Sequence, residues 1–216
     1  MTTHRLSIAK MSACSALFAA ALLAMATALG PVVALAAPQP SPIPTRWELD
    51  LRPGPLRIVH LDVPGIGPQT YYYLTYLVVN NSGQDLTFAP SFQLTTDEGE
   101  LVRSGEDVPL WVTRELLNRL RNPLLEDEIG VLGMLEQGEE NGIEGLVVWP
   151  ARNLKVDEVV VYAAGFSGET RRIRRPDTGE EVTLRKVMML RHDTPGEQTR
   201  RGSLPLERTV QRWILR

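Results

Sequence analysis

Three histidines, 26 acidic side chains and a C-terminal cluster of arginines are the groups in this sequence able to do chemistry. A Ser-His-Asp triad needs an imidazole beside a nucleophilic serine. His60 falls within a strand-like run and His192 beside a loop, and no serine occupies the strand-to-helix setting of a G-x-S-x-G nucleophile. Phe166-Ser167-Gly168 comes nearest and reads as a β-turn. The two histidines could hold a metal only with added carboxylates, and neither has a partner ligand at helical or hairpin spacing. The single cysteine, Cys14, lies with His4 in an apolar N-terminal stretch read below as removed. A disulfide scaffold, a thiol nucleophile and a Cys-ligated metal are therefore excluded. Asp97-Glu98-Gly99-Glu100 lacks the alternating Asp/Asn ladder and distal Glu of a calcium loop and reads as a solvated turn. Glu126-Asp127-Glu128 and Glu139-Glu140 could supply an acid/base pair for glycoside cleavage, but nothing in the spacing sets two of them across a cleft. No catalytic, metal-binding or cofactor-binding residue is assigned.

The arginines carry more information. Residues 38–170 hold nine basic and 20 acidic side chains, net −11, whereas 171–216 hold 12 basic and six acidic, net +6. Arg outnumbers Lys 19 to two over residues 38–216, and guanidinium suits planar, bidentate recognition of carboxylate or phosphate. Arg171, Arg172, Arg174, Arg175, Arg185 and Lys186 are the candidate contacts for an anionic partner. Three explanations compete, the first favoured: this basic segment packs on the acidic body of its own fold, docks on another copy, or binds an anionic envelope polymer or lipid headgroup. Nucleic acid is not expected, because no aromatic residues interleave with the Arg run. Within Tyr71-Tyr72-Tyr73 and Tyr76, alternation sends Tyr71 and Tyr73 to one face of a strand and Tyr72 and Tyr76 to the other. One pair is expected in the core and the other at a wet or sheet-edge face; core and cross-strand packing is the favoured reading, and Tyr71 and Tyr73 are the candidate aromatic surface contacts if a pair is exposed.

The N-terminus reads as targeting. Arg5 and Lys10 precede an uncharged Ala/Leu run, residues 13–29, a Gly30-Pro31 break and the small-x-small triplet Ala34-Leu35-Ala36. This is the order of a secretory signal peptide over residues 1–37. The rival reading is an uncleaved anchor, since residues 13–37 could span a bilayer; the weakly apolar alanines and the helix breaker favour cleavage. Export without any disulfide points to the periplasm or exterior of a bacterium. Residues 38–45, with four prolines in the first seven, read as an extended tether ahead of one domain at 46–216.

That domain reads as mainly β. Trp47, Leu49 and Leu51 alternate with acids; after Pro53-Gly54-Pro55 the strand resumes at Leu56. Beyond Pro64-Gly65-Ile66-Gly67-Pro68 comes the strongest strand, residues 71–79, closed by Asn80-Asn81-Ser82-Gly83. Shorter alternating runs follow, apolar on one face and wet on the other. Two short helices are expected at about 109–136. The first has Asp107 as N-cap and Val112, Leu116, Leu117 and Leu120 on one face; the second has the stripe Leu125, Ile129, Leu132 and Leu135. Strands return at 145–149 and 156–164, followed by a long basic hairpin turning at Pro176-Asp177-Thr178-Gly179 and a last strand at 208–215.

The order YLVVNNSGQDLTFAPSFQLTTDEGE (76–100), then EQGEENGIEGLVVWP (136–150), is similar to bacterial extracytoplasmic immunoglobulin-like domains of the DUF4352-like type. It also resembles secreted proteins of planctomycete-type bacteria in which such a core precedes VVVYAAGFSGE (159–169). The resemblance implies a fold and a compartment and attaches no catalytic residues. The helical insertion and C-terminal hairpin depart from the minimal domain. The expectation is therefore an antiparallel immunoglobulin-like β-sandwich with a two-helix insertion and a hairpin extension, acting as a non-catalytic interaction or structural module of the envelope. Its partner would be an envelope protein or polymer, with self-association as a further mode. The alternative is a carboxylate-based hydrolase, which should present a concave pocket where two carboxylates converge.

Overall fold

Two strands of 14 residues open the fold, which a computed structural model describes over residues 37–194 and 204–216. The segment assigned to export lies outside the described residues apart from Ala37, as does the Pro195-Gly196 loop. β1 (Asp50–Val63) and β2 (Gly67–Asn80) pair antiparallel from Asp50↔Val79 to Val63↔Gly67. The Pro64-Gly65-Ile66 breaker is their turn, with Gly65 at φ +78° and the Ile66 N–H donating to the Val63 carbonyl (2.9 Å). Pro53-Gly54-Pro55 does not end a strand; it makes a bulge inside β1. The Arg208 guanidinium donates to the carbonyls of Pro53 (3.1 Å) and Gly54 in that bulge.

The remaining elements are β3 (Leu86–Phe88), β4 (Ser91–Thr96), β5 (Leu101–Arg103), α1 (Leu110–Leu120), β6 (Leu125–Glu126), β7 (Gly133–Leu135), β8 (Gly138–Pro150), β9 (Glu158–Ala164), β10 (Thr170–Arg174), β11 (Glu181–Asp193) and β12 (Glu207–Leu215). The chain is thus mainly β. One sheet runs β1-β2-β8-β6, the other β10-β11-β9-β4-β5 with β12 also paired to β11, and β3 and β7 form a separate ribbon. Every pairing is antiparallel except β6 with β8.

Both large sheets feed one core. Tyr72, Leu74, Tyr76 and Val78 from β2 and Val147 and Trp149 from β8 meet Phe92 and Leu94 from β4, Val159 and Val161 from β9, and Met188 and Leu190 from β11. Phe166 stands edge-on to Tyr76, Phe88 and Phe92 at ring separations of 5.4–5.8 Å, a favourable arrangement of ring quadrupoles. Gly145 lies opposite Tyr76, and a Cβ there would come within 2.3 Å of the tyrosine ring, so the ring can lie across the strand only over a glycine.

The opposite face of the β1-β2-β8-β6 sheet is buried too, which the alternation argument did not foresee. Val112 and Leu116 of α1 cover Tyr71, Tyr73, Leu61, Val63, Leu125, Leu146 and Val148 in a second apolar cluster. Tyr71 and Tyr73 are 3% and 7% exposed, so neither is a surface contact. In the middle of β2 both faces are enclosed, one by the second sheet and one by the helix.

The two-helix insertion is one helix. α1 ends on Arg121 in the left-handed region (φ 51°), its N–H donating to the Leu117 carbonyl (3.2 Å). Asp107 does not cap it: its backbone is itself left-handed (φ 57°), its carboxylate meets Arg152 (2.6 Å), and Pro109 precedes the helix without a side-chain cap. The second expected helix is replaced by turns and the short strands β6 and β7. Asp127 Oδ1 accepts from the N–H groups of Ile129 (3.1 Å) and Gly130 (2.8 Å), offering the backbone a local alternative to helix. Leu125, Val131 and Leu135 are buried while Ile129 and Leu132 are exposed, a spacing no helical face provides.

The proline-rich segment is partly held against the domain. The Ser41 N–H donates to Glu169 Oε1 (2.9 Å), and Pro44 lines a cleft beside Trp213.

Candidate anion-binding face

β10 and the first half of β11 form the basic hairpin, paired from Thr170↔Arg185 to Arg174↔Glu181. Its turn is closed by Arg175, whose N–H donates to the Glu180 carbonyl and whose carbonyl accepts from the Gly179 N–H, both at 2.8 Å. Residues directly opposite in an antiparallel pair share a face. One face carries Arg172, Arg174 and Arg185 with Thr170, Thr183 and Glu181; the other carries Arg171, Ile173, Val182 and Leu184. Arg171, Arg172, Arg174 and Arg185 are exposed, and among the described residues none of the four forms a salt bridge. Arg175 is exposed as well but binds Asp177 of its own turn (3.1 Å).

Lys186 belongs elsewhere. Adjacent residues of a strand point to opposite faces, so Arg185 faces solvent while Lys186, 3% exposed, points inward. Its ammonium meets Glu48 (2.7 Å) and Glu169 (3.3 Å) and lies 5.3 Å from the Trp213 ring centre. Burial opposes the lysine charge, but Glu48 and Glu169 outweigh it and hold the pKa above the ordinary value. Burial likewise opposes the Glu169 carboxylate, and the Ser41 N–H with Lys186 outweighs it, so that pKa is lowered. Lys186 is therefore a buried structural cation and not a contact for an outside anion.

The hairpin's arginine face continues onto the sheet. Arg216 follows β12 and lies opposite Arg185, exchanging both backbone hydrogen bonds with it (2.7 and 3.0 Å). Arg212 lies opposite Met189 on the same face, and Arg103 of β5 lies opposite Gln93 of β4. At the base of the hairpin these strands enclose a half-open cleft of about 230 Å³, lined by Ser91, Gln93, Tyr162, Ala164, Arg185, Val187 and Arg216. The Arg216 guanidinium stacks 4.0 Å from the centre of the Tyr162 ring. Sequence reading missed Arg103, Arg212 and Arg216 as members of this surface because they come from separate strands. The available signal was the phase of β12, in which Arg212, Ile214 and Arg216 recur every second residue.

The other candidate groups do not converge. His60 is exposed and its Nδ1 lies 2.8 Å from Thr70 Oγ1 across the β1–β2 pair. His192 is fully buried on the inner face of β11, and neither ring nitrogen has a hydrogen-bond partner. Burial first, then the Arg208 charge, lowers its pKa to about 4, against weaker support from the Asp193 charge. Ser167 Oγ accepts from the Glu169 N–H (3.2 Å), and the Ser167 main chain forms an isolated antiparallel bridge with Glu48, a structural turn.

Two carboxylates do line one cleft, of about 320 Å³, bounded by Glu48, Asp50, Asn81, Met188 and Trp213 among others. Glu48 is paired with Lys186 and Asp50 with Arg52 (2.6 Å), so neither is an unpaired acid. Glu128 is the carboxyl held above its usual range, by burial and secondarily by Asp127, against hydrogen bonding from Ser104 and Val148. It lines neither cleft. Comparison of the chain with protein-family models, curated proteins and solved structures finds no match.

Proposed function

We propose that this chain is an exported, non-catalytic binding module of the bacterial envelope, with an immunoglobulin-like sandwich as scaffold and the arginine face as the surface that engages an anionic partner. The observation that carries this reading is the separation of roles within the basic cluster. Lys186 is consumed by the body of the fold, whereas Arg171, Arg172, Arg174 and Arg185 are exposed and unpaired among the described residues. Of the three explanations for the basic segment, packing on the chain's own body accounts for Lys186, for Arg191, which meets Glu158 (3.3 Å), and for Arg208, but not for the hairpin's exposed arginines. Unpaired guanidiniums are suited to carboxylate or phosphate, and the strand register sets Arg172, Arg174 and Arg185 on one face of the hairpin.

The hydrolase alternative requires one free acid and one free base facing each other. The cleft that holds Glu48 and Asp50 gives each of them a cation instead. The test is retention of the mature chain on an anionic matrix and on isolated envelope. Replacing Arg171, Arg172, Arg174 and Arg175 with Ser should weaken retention without lowering the melting temperature. Unchanged retention with a lowered melting temperature would show that the cluster serves the fold.

A further inference from the structure

The cleft at the base of the hairpin is chemically more specific than the arginine surface around it. Of its seven lining side chains two are cationic, Arg185 and Arg216. Three others, Ser91, Gln93 and Tyr162, are neutral and hydrogen-bonding, and the hydroxyls and the amide can each donate and accept. Among the described residues the Ser91 and Gln93 side chains have no hydrogen-bond partner in the chain. The backbone around them is committed to strand pairing: Ser91 with Ala164, Gln93 with Tyr162 and Arg103, Arg185 with Arg216.

A fully ionised phosphate offers acceptors only, so beside the two guanidiniums it would use only the donor capacity of the neutral groups. This cleft sets acceptor-capable groups beside two guanidiniums. A ligand that carries an anion and hydroxyl groups together would satisfy both sets, the hydroxyls exchanging hydrogen bonds with groups that can both donate and accept. At about 230 Å³ the cleft is below the roughly 300 Å³ at which pockets for drug-sized ligands begin, which leaves room for one ring-sized unit. Ala164 and Val187 supply the small apolar contacts that the carbon skeleton of such a ring needs.

We infer that the cleft receives one sugar-acid unit of an acidic polysaccharide. Its carboxylate lies between the guanidiniums of Arg185 and Arg216, and its hydroxyls meet Ser91, Gln93 and Tyr162. This rests on the proposed role of the arginine face and names the class of its partner. Arg172 and Arg174, on the same face of the hairpin, meet carboxylates of neighbouring units as exposed charges.

The test titrates the folded chain with trigalacturonate, the matching neutral trisaccharide and tripolyphosphate, following heat of binding for wild type, Gln93→Ala, Ser91→Ala and Arg172→Ser/Arg174→Ser. Circular dichroism confirms that each variant is folded. The expected result is that the neutral sugar does not bind and that Gln93→Ala weakens trigalacturonate up to about tenfold, the upper end for loss of one neutral hydrogen bond. Tripolyphosphate binding should be unchanged by Gln93→Ala and weakened by Arg172→Ser/Arg174→Ser. If Gln93→Ala and Ser91→Ala bind trigalacturonate as wild type does, the sugar-acid site is overturned while the anion-binding face stands. If neither anion binds wild type, both are overturned.

Discussion

Arg185 and Arg216 face each other directly across two paired strands, exchanging both main-chain hydrogen bonds, so their two guanidiniums leave the sheet on the same side. Like charges opposed in this way oppose folding. Arg52 meets Asp50 and Glu139, whereas this opposed pair has no carboxylate partner among the described residues, the arrangement expected where an outside anion supplies the neutralising charge. Arg185→Thr should therefore leave stability unchanged or slightly raised while reducing anion binding. Saturating anion should raise the melting temperature of wild type by more than that of the variant, since a ligand that binds only the folded state stabilises it in proportion to its affinity. Thermal melts with and without anion check this.

Lys186 gives the opposite expectation. Lys186→Met leaves Glu48 and Glu169 facing each other in a buried site without their cation, a change that costs about 3–5 kcal/mol in comparable buried pairs. Glu169→Gln in the same chain should recover part of the loss. The pH signs follow from the shifts. The lowered Glu169 pKa contributes stability that is complete above the unfolded value near 4.5 and lost as pH falls through the folded value. The raised Lys186 pKa contributes stability that is complete below 10.5 and lost above it. Chemical denaturation of the three proteins at several pH values measures both.

His192 sets the mildly acidic limb. Its pKa is about 4 when folded and near 6.5 when unfolded, so between these values the unfolded chain binds the proton and the folded one does not. Stability should fall by about 3 kcal/mol as pH drops from 6.5 to 4. His192→Phe removes both unpartnered ring nitrogens and should flatten the profile without a loss at pH 7, read by denaturation midpoints across the range.

Gly145→Ala should be destabilising although alanine is a small change. The added Cβ would fall 2.3 Å from the Tyr76 ring, which is held by Phe92 and Phe166 and cannot move freely. A cost of about 1–3 kcal/mol is expected from such overpacking, and a Tyr76→Leu background should relieve it. Melting temperatures of the single and double variants decide the matter.

The legible parts of the fold were those where one local rule sufficed. The aromatic and β-branched run of β2, the apolar runs of β8 and β9 and the turn of the basic hairpin all formed where residue type and breakers placed them. What failed was the assumption that a strand with one core face has one wet face. Tyr71 and Tyr73 became core because α1, 37 residues or more further along the chain, lies over them. The expected second helix failed because Asp127 captured the backbone that a helix would have used. In the site, Lys186 was grouped with Arg185 by charge, although alternation already sends neighbours in a strand to opposite faces. Arg212 and Arg216 joined the surface through strand pairing that no single stretch of sequence contains.

The most direct test of anion binding through this face is the salt dependence of affinity for an acidic polysaccharide, compared between wild type and Arg172→Ser/Arg174→Ser/Arg185→Ser. Binding by exposed guanidiniums predicts that wild-type affinity falls steeply and linearly with the logarithm of salt concentration, and that the triple variant binds more weakly with a shallower slope. A triple variant of wild-type affinity and slope would contradict it.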